Sequence, residues 1–79
     1  NPITTIRYDI PKLSEVRIVI HDLMGRQVAN LLHGIKPAGY HDITWDGSNQ
    51  FGDDVSSGMY IYSIQTEEYN LSKKMIFIK

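Results

Sequence analysis

The sequence predicts an all-β domain, an Ig-like antiparallel β-sandwich of about seven short strands. Apolar and polar residues alternate at a period of two along most of the chain, the pattern of half-buried strands. Turn-forming residues recur roughly every 8–12 residues, the spacing typical of sandwiches. No segment carries the period of a long helix. A small barrel is the alternative architecture.

The first strand is predicted over residues 4–10. Its alternate residues Ile6, Tyr8 and Ile10 are apolar, which indicates one buried face. Pro11 ends the strand, because proline has no N–H group to donate to a strand ladder.

The next two strands form a predicted hairpin. Residues 15–22 repeat the alternation, residues 24–25 (Met-Gly) supply a tight turn, and residues 26–32 return. A short helix over residues 27–33 is the alternative, although the flanking turn residues fit a hairpin better. A loop is expected to follow over residues 34–39.

The remaining chain is expected to add three or four strand segments. These are residues 40–45, a brief strand contact at Val55, residues 59–66 and residues 69–78. Dense clusters of turn formers separate the segments, at residues 46–54, 56–58 and 67–68.

Charge and composition exclude several classes of function. Eight basic and nine acidic residues give a net charge of −1, so there is no basic footprint for nucleic acid. No apolar run approaches the roughly 18–20 residues of a membrane-spanning helix. The absence of cysteine excludes disulfides and thiolate chemistry. Because the chain begins with Asn1-Pro2, we expect a fragment of a longer polypeptide with the remnant of an upstream linker.

Candidate metal ligands are weak. The three histidines follow no metal-ligand spacing and are expected on the surface: His21, His33 and His41. A loop rich in carboxylates is a weak calcium candidate, because calcium binds six to eight oxygens; its residues are Asp46, Asn49, Asp53 and Asp54. Asx turns are the other interpretation, since the loop lacks the terminal glutamate of an EF-hand. We therefore expect no metal and no cofactor.

Catalytic motifs are also missing. The sequence contains no Gly-x-Ser-x-Gly elbow and no phosphate loop, so we predict no catalytic residue and no enzyme activity. A sugar-stacking platform of aromatic residues is a further possibility. Four of these residues are expected instead in the core: Tyr8, Trp45, Tyr60 and Tyr62. Tyr40 and Tyr69 are the exposed candidates.

Several residues are predicted to anchor the fold. Gly25 serves a hairpin turn that needs a positive φ. Asp46 and Gly47 form a turn directly after the anchor Trp45. Gly58 is expected to let the chain reverse before the strand that contains Tyr60 and Tyr62.

Taken in order, these motifs resemble those of C-terminal sorting domains (type A) of the bacterial type IX secretion system. The likeness covers nearly the whole chain, and no single motif in it is specific. It comprises residues 1–2 and 4–11, 16–18 with 22–28, 38–41, 45–47, 52–62 and 73–79. His21 departs from the pattern, because an aromatic residue is common there.

The resemblance implies a single domain, residues 1–79, that directs an upstream cargo domain through the outer-membrane secretion machinery. The protein would then be extracellular or on the surface of a Gram-negative-type bacterium, reached through the periplasm. Recognition would involve the last strand at Lys73, Lys74, Met75 and Lys79, and one mode for it is an edge offered to the translocon. Lysines that protect an edge strand from pairing are the other interpretation.

The same pattern is similar to the Ig-like domain of the flagellar hook-cap scaffold protein, at residues 25–26 and 45–60. The alternative function is therefore an Ig-like structural spacer, or a carbohydrate-binding accessory module of a surface enzyme. The lysine-rich closing strand favours the sorting domain. The oligomeric state stays open.

Overall fold

The computed structural model describes residues 3–79, so the predicted linker remnant Asn1-Pro2 lies outside the described part. Within it the chain forms six strands and no helix. They are β1 (Thr4–Ile10), β2 (Ser14–Asp22), β3 (Gln27–Lys36), β4 (Gly39–Trp45), β5 (Gly58–Gln65) and β6 (Asn70–Phe77).

The strands form two sheets, which confirms the predicted all-β, Ig-like fold. One sheet has the order β3-β2-β5-β6, and the other contains only β1 and β4. Every pairing is antiparallel. There are six strands rather than about seven, because the predicted contact at Val55 is no strand. The neighbouring residues Ser48 and Asp54 form an isolated bridge instead.

The core lies between the two sheets and is built from the alternate apolar residues of the strands. Trp45 is 1% exposed, and its ring centroid lies 4.9 Å from that of Phe77 and 5.2 Å from that of Tyr60. Tyr62 is half-buried against the same cluster. The predicted inward positions are therefore confirmed, with these further buried residues: Ile6, Tyr8, Ile10, Val16, Ile18, Ile20 and Ile64.

Strand β3 differs most from its prediction. It extends to Lys36, so only two residues of the predicted loop remain outside the strands, and the alternative helix is wrong. The pairing of β2 with β3 shifts register twice, leaving Val28 and Leu31 as extra residues. These bulges lie within the predicted strand. The end that was not predicted, residues 33–36, contains Gly34 and precedes Pro37, which the sequence pattern assigns to a loop.

The turn between β2 and β3 is held by the carboxylate of Asp22. This carboxylate accepts hydrogen bonds from the backbone N–H groups of Met24 and Arg26, each at 2.9 Å. It also accepts one from the Arg26 Nε–H group, again at 2.9 Å. Gly25 has a φ of +84°, as predicted for this position.

Candidate functional site

The carboxylate-rich loop after Trp45 is ordered by its own hydrogen bonds. The indole N–H group of Trp45 donates to the carbonyl of Ser48 at 2.9 Å. Asp46 Oδ1 accepts from both the backbone N–H and the hydroxyl of Ser48. Asn49 Oδ1 accepts from the N–H groups of Phe51 and Asp53. The loop is therefore a series of Asx turns, in which side chains replace backbone partners.

These bonds occupy two of the oxygens considered as calcium ligands. Asp46 and Asn49 each hold their own turn, and Asp53 and Asp54 are exposed. In the described range 3–79, no group of three or more His, Cys, Asp or Glu side chains is placed to hold a metal ion. The geometry therefore favours the Asx-turn interpretation.

Calcium is accordingly expected to leave the melting temperature unchanged. A ligand that binds only the folded state raises that temperature, and the rise continues with concentration above the Kd. Thermal unfolding followed by circular dichroism, with millimolar calcium in one sample and a chelator in its match, checks this. A rise that grows with the calcium concentration and disappears in an Asp53→Asn, Asp54→Asn variant would contradict it.

Two turn carboxylates make the stability depend on acid pH. Hydrogen bonds from Arg26 lower the pKa of Asp22, and those from Ser48 lower the pKa of Asp46, both from an ordinary value of 3.8. A lowered pKa in the folded state means that the charged form stabilises the fold. This contribution is complete above pH 3.8 and is lost as the pH falls through the lowered pKa values.

We therefore expect the melting temperature to fall as the pH drops below about 4. Melts by circular dichroism between neutral pH and pH 2 give the profile. An Asp22→Asn, Asp46→Asn variant should melt lower than the wild type at neutral pH and show a smaller acid-dependent loss. The same acid-dependent loss in both proteins would refute the assignment to these two carboxylates.

The three histidines do not lie together in the structure. His33 Nε2 lies 3.0 Å from Glu15 Oε1 at the surface. His41 shares a face with Tyr8, with ring centroids 5.4 Å apart, and its Nε2 lies 2.8 Å from the carbonyl of Pro37. His41 therefore lies at the surface but is half-buried, because its ring packs against a neighbouring strand. His21 is half-buried on β2.

A shallow basin of about 760 Å³ lies over β1 and β4. Tyr40 lines this basin and is 89% exposed. It lies on β4 and pairs with Asp9 on β1. Burial raises the pKa of Tyr8, and the nearby Asp42 carboxylate raises it further. Tyr69 is only half-exposed, because it packs against the core, and its hydroxyl donates to the carbonyl of Asp9 at 2.9 Å. The two predicted sugar-stacking tyrosines therefore do not form one flat platform.

The predicted recognition residues lie along β6 rather than around a pocket. Lys73 pairs with Tyr62 and Lys74 with Ile61, so the two lysines project from opposite faces of the sheet. Met75 packs against the core. Lys79 follows the strand, and its backbone N–H group donates to the Ser57 hydroxyl. These residues line one sheet edge and form no enclosed site.

Three of the predicted anchors, Trp45, Gly47 and Tyr60, meet at one end of the core, together with Phe77, which the sequence analysis missed. Gly47, with a φ of +82°, lies against the ring of Phe77, and Tyr60 donates its hydroxyl to the carbonyl of Ser56 at 2.6 Å. The alternation of Met75 and Phe77 is the signal that could have placed Phe77 inside. Gly58 has no positive φ and begins β5, so a chain reversal is not its role.

Comparisons with known proteins place this fold in a family. The family model of the FlgD Ig-like domain matches residues 4–70. A solved structure of FlgD from P. aeruginosa is similar, with a TM-score of 0.79 and 23% sequence identity. The alignment covers 95% of this chain but only 62% of that chain. No curated protein shows significant similarity to the sequence.

The remaining expectations concern membranes and partners. Residues 3–79 include no helix of the length and apolarity that crossing a bilayer would require. The predicted partners, the outer-membrane secretion machinery and an upstream cargo domain, stay predictions, as does the division into a single domain over residues 1–79.

The assignment to a type IX sorting domain is wrong, because the family match over residues 4–70 is to the FlgD Ig-like domain. The predicted secretion role is therefore also wrong, and so is the extracellular or cell-surface location that this role implied. The alternative, an Ig-like structural module, agrees better with the match and the fold. The motifs shared by the two families are turn and core residues, which explains the misassignment. The chain belongs to the FlgD Ig-like domain family.

Proposed function

We propose that this domain is a non-catalytic structural module of a FlgD-type scaffold, which acts through surface contacts during assembly of the flagellar hook cap. The family match over residues 4–70 carries the proposal. A structural role is supported by three polar side chains, those of Asp22, Asp46 and Asn49, because their hydrogen bonds hold turns. Trp45 and Phe77 fill the core at the same end.

The test is made in the strain that encodes the chain, by counting hooks in electron micrographs and scoring motility. Trp45→Ala removes the centre of the core, and it is expected to abolish hook formation. A Glu15→Gln, His33→Gln variant removes two exposed titratable side chains that contact each other, and it is expected to leave hooks normal.

Normal hooks in the Trp45→Ala strain would overturn the proposal, provided that the purified variant is unfolded. Loss of hooks in the Glu15→Gln, His33→Gln strain with an unchanged melting temperature would instead place an assembly contact at that exposed surface.

A further inference from the structure

The four-stranded sheet ends in two edge strands, β3 and β6. An edge strand presents a row of backbone N–H and C=O groups that no neighbour uses, and it can pair with a strand from another chain. Folded proteins usually blunt such edges with bulges, prolines or charges. The two edges of this sheet differ in how well such features protect them from pairing with another strand.

Strand β3 is irregular, whereas β6 is regular. The two register shifts in β3 twist that edge and interrupt its pairing pattern. In contrast, residues 58–65 pair with residues 70–77 in eight consecutive pairs without a shift. Residues 70–79 also contain no proline. The outer edge of β6 is therefore an unbroken template for one more strand.

The β6 edge also carries an unopposed positive charge. Residues 70–79 contain three lysines and no acidic residue. Lys73 and Lys74 are exposed, and within residues 3–79 neither takes part in an ion pair. The lysines lie side by side at the centre of the strand and project from opposite faces. A partner strand would meet one positive charge on each face.

Exposed apolar side chains accompany the lysines. Ile76 is 63% exposed, and it shares a face with Lys74, whereas Leu71 is 39% exposed and shares a face with Lys73. Each face of the edge therefore offers one lysine and one apolar contact. This combination suits a strand in which acidic residues sit at the centre and apolar residues lie toward the ends.

We propose that β6 binds an extended acidic segment of a partner protein, which adds a strand to the four-stranded sheet. Backbone hydrogen bonds would provide affinity, and the charges and apolar side chains would provide specificity. Two adjacent acidic residues of the segment would lie opposite Lys73 and Lys74. The inference goes beyond the structural role proposed above, because it assigns the contact surface and the chemistry of the partner.

The same lysines disfavour a second copy of this chain as the occupant. If two β6 strands paired about their centres, lysines would face lysines, and like charges directly opposite each other destabilise a strand pair. The charges that protect the edge from self-association therefore select an acidic strand.

The test uses the full chain, labelled with ¹⁵N, and the probe peptide acetyl-Thr-Val-Thr-Glu-Glu-Thr-Val-Thr-amide. The matched control peptide carries Lys-Lys in place of Glu-Glu. The acidic peptide is expected to shift the amide signals of residues 70–77 and to slow their hydrogen exchange. The control peptide should bind about tenfold more weakly, because two attractive surface pairs become repulsive.

A charge-reversed variant makes the test specific. Lys73→Glu with Lys74→Glu alters two exposed side chains, and its melting temperature verifies the fold. This variant should prefer the lysine peptide by about the same factor. Raising the salt from 50 to 500 mM should reduce the preference of both proteins, because exposed charges are screened.

Several results would overturn the proposal. They are equal binding of both peptides, signal shifts centred on β3, and no shift at millimolar peptide. Concentration-dependent dimerisation through β6, seen by sedimentation together with shifts in residues 70–77, would assign the edge to a second copy instead. None of these results depends on hook formation, so failure here is distinguishable from failure of the structural role.

Discussion

Replacing Gly47 with alanine is expected to destabilise the domain by about 2–5 kcal/mol, the sum of backbone strain and overpacking. The φ of Gly47 is +82°, and a Cβ atom added there would lie within 2.6 Å of Phe77 Cε2. The Phe77 ring has little room to retreat, because it is 2% exposed and packs against Trp45. Urea unfolding followed by circular dichroism measures the loss.

Gly52 supplies the matched control for this prediction. Its φ of +84° is nearly the same, but a Cβ atom there would meet nothing within 4 Å. Gly52→Ala should therefore show the backbone strain alone, about 1–2 kcal/mol. A second comparison measures Gly47→Ala in a Phe77→Leu background. There, Gly47→Ala should destabilise the domain less than it does in the wild type, because the contact with the Phe77 ring is absent. Equal losses for Gly47→Ala and Gly52→Ala would show that the contact with Phe77 has no energetic effect.

Trp45→Ala is expected to cost about 3–5 kcal/mol, the range for removing a large buried aromatic side chain. The substitution leaves a cavity beside Tyr60 and Phe77, and it removes the hydrogen bond to the carbonyl of Ser48. A domain of this size is stable by only about 4–12 kcal/mol. The loss is therefore a large fraction of the total stability, and we expect a markedly lower urea midpoint for the variant than for the wild type.

Two variants keep this prediction testable if Trp45→Ala does not fold. Trp45→Phe retains an aromatic ring but loses the indole hydrogen bond, so it should be destabilised less and should still unfold in a measurable urea transition. Phe51→Ala removes an aromatic side chain that is 79% exposed, and it should change the stability by at most about 0.5 kcal/mol. A loss as large for Phe51→Ala as for Trp45→Ala would contradict the assignment of the core.

Strands with one buried face could be predicted closely from the sequence. The prediction for β1 has the bounds found in the structure, because strict alternation runs over residues 4–10 and Pro11 ends it. Strand β3 could not be predicted to its full length, because Gly34 and Pro37 indicate a loop where its last residues lie. Its last residues are held in the sheet by pairing with β2 from Ser14 to Val16, a long-range effect that local pattern does not contain.

The candidate sites also divide into features that the local sequence indicates and features that required the structure. The Asx turns after Trp45 follow from the local density of Asp, Asn, Gly and Ser, so the sequence indicates them directly. The contact of Gly47 with Phe77 joins distant parts of the chain and required the structure. The functional assignment failed for a different reason: the motifs at residues 45–47 and 52–62 specify turns and core positions, and two families with one fold share them.

The pairing of β1 with β4 has a consequence for how the chain folds. Only the β2–β3 and β5–β6 hairpins join neighbouring segments, and such hairpins form in about 1–10 μs. Strand β1 must instead find residues as distant as the Thr4–Trp45 pair, and β2 must find β5. Folding is therefore expected to take milliseconds to seconds. During synthesis, β1 can pair as soon as β4 has emerged from the ribosome, whereas the four-stranded sheet must wait for both β5 and β6.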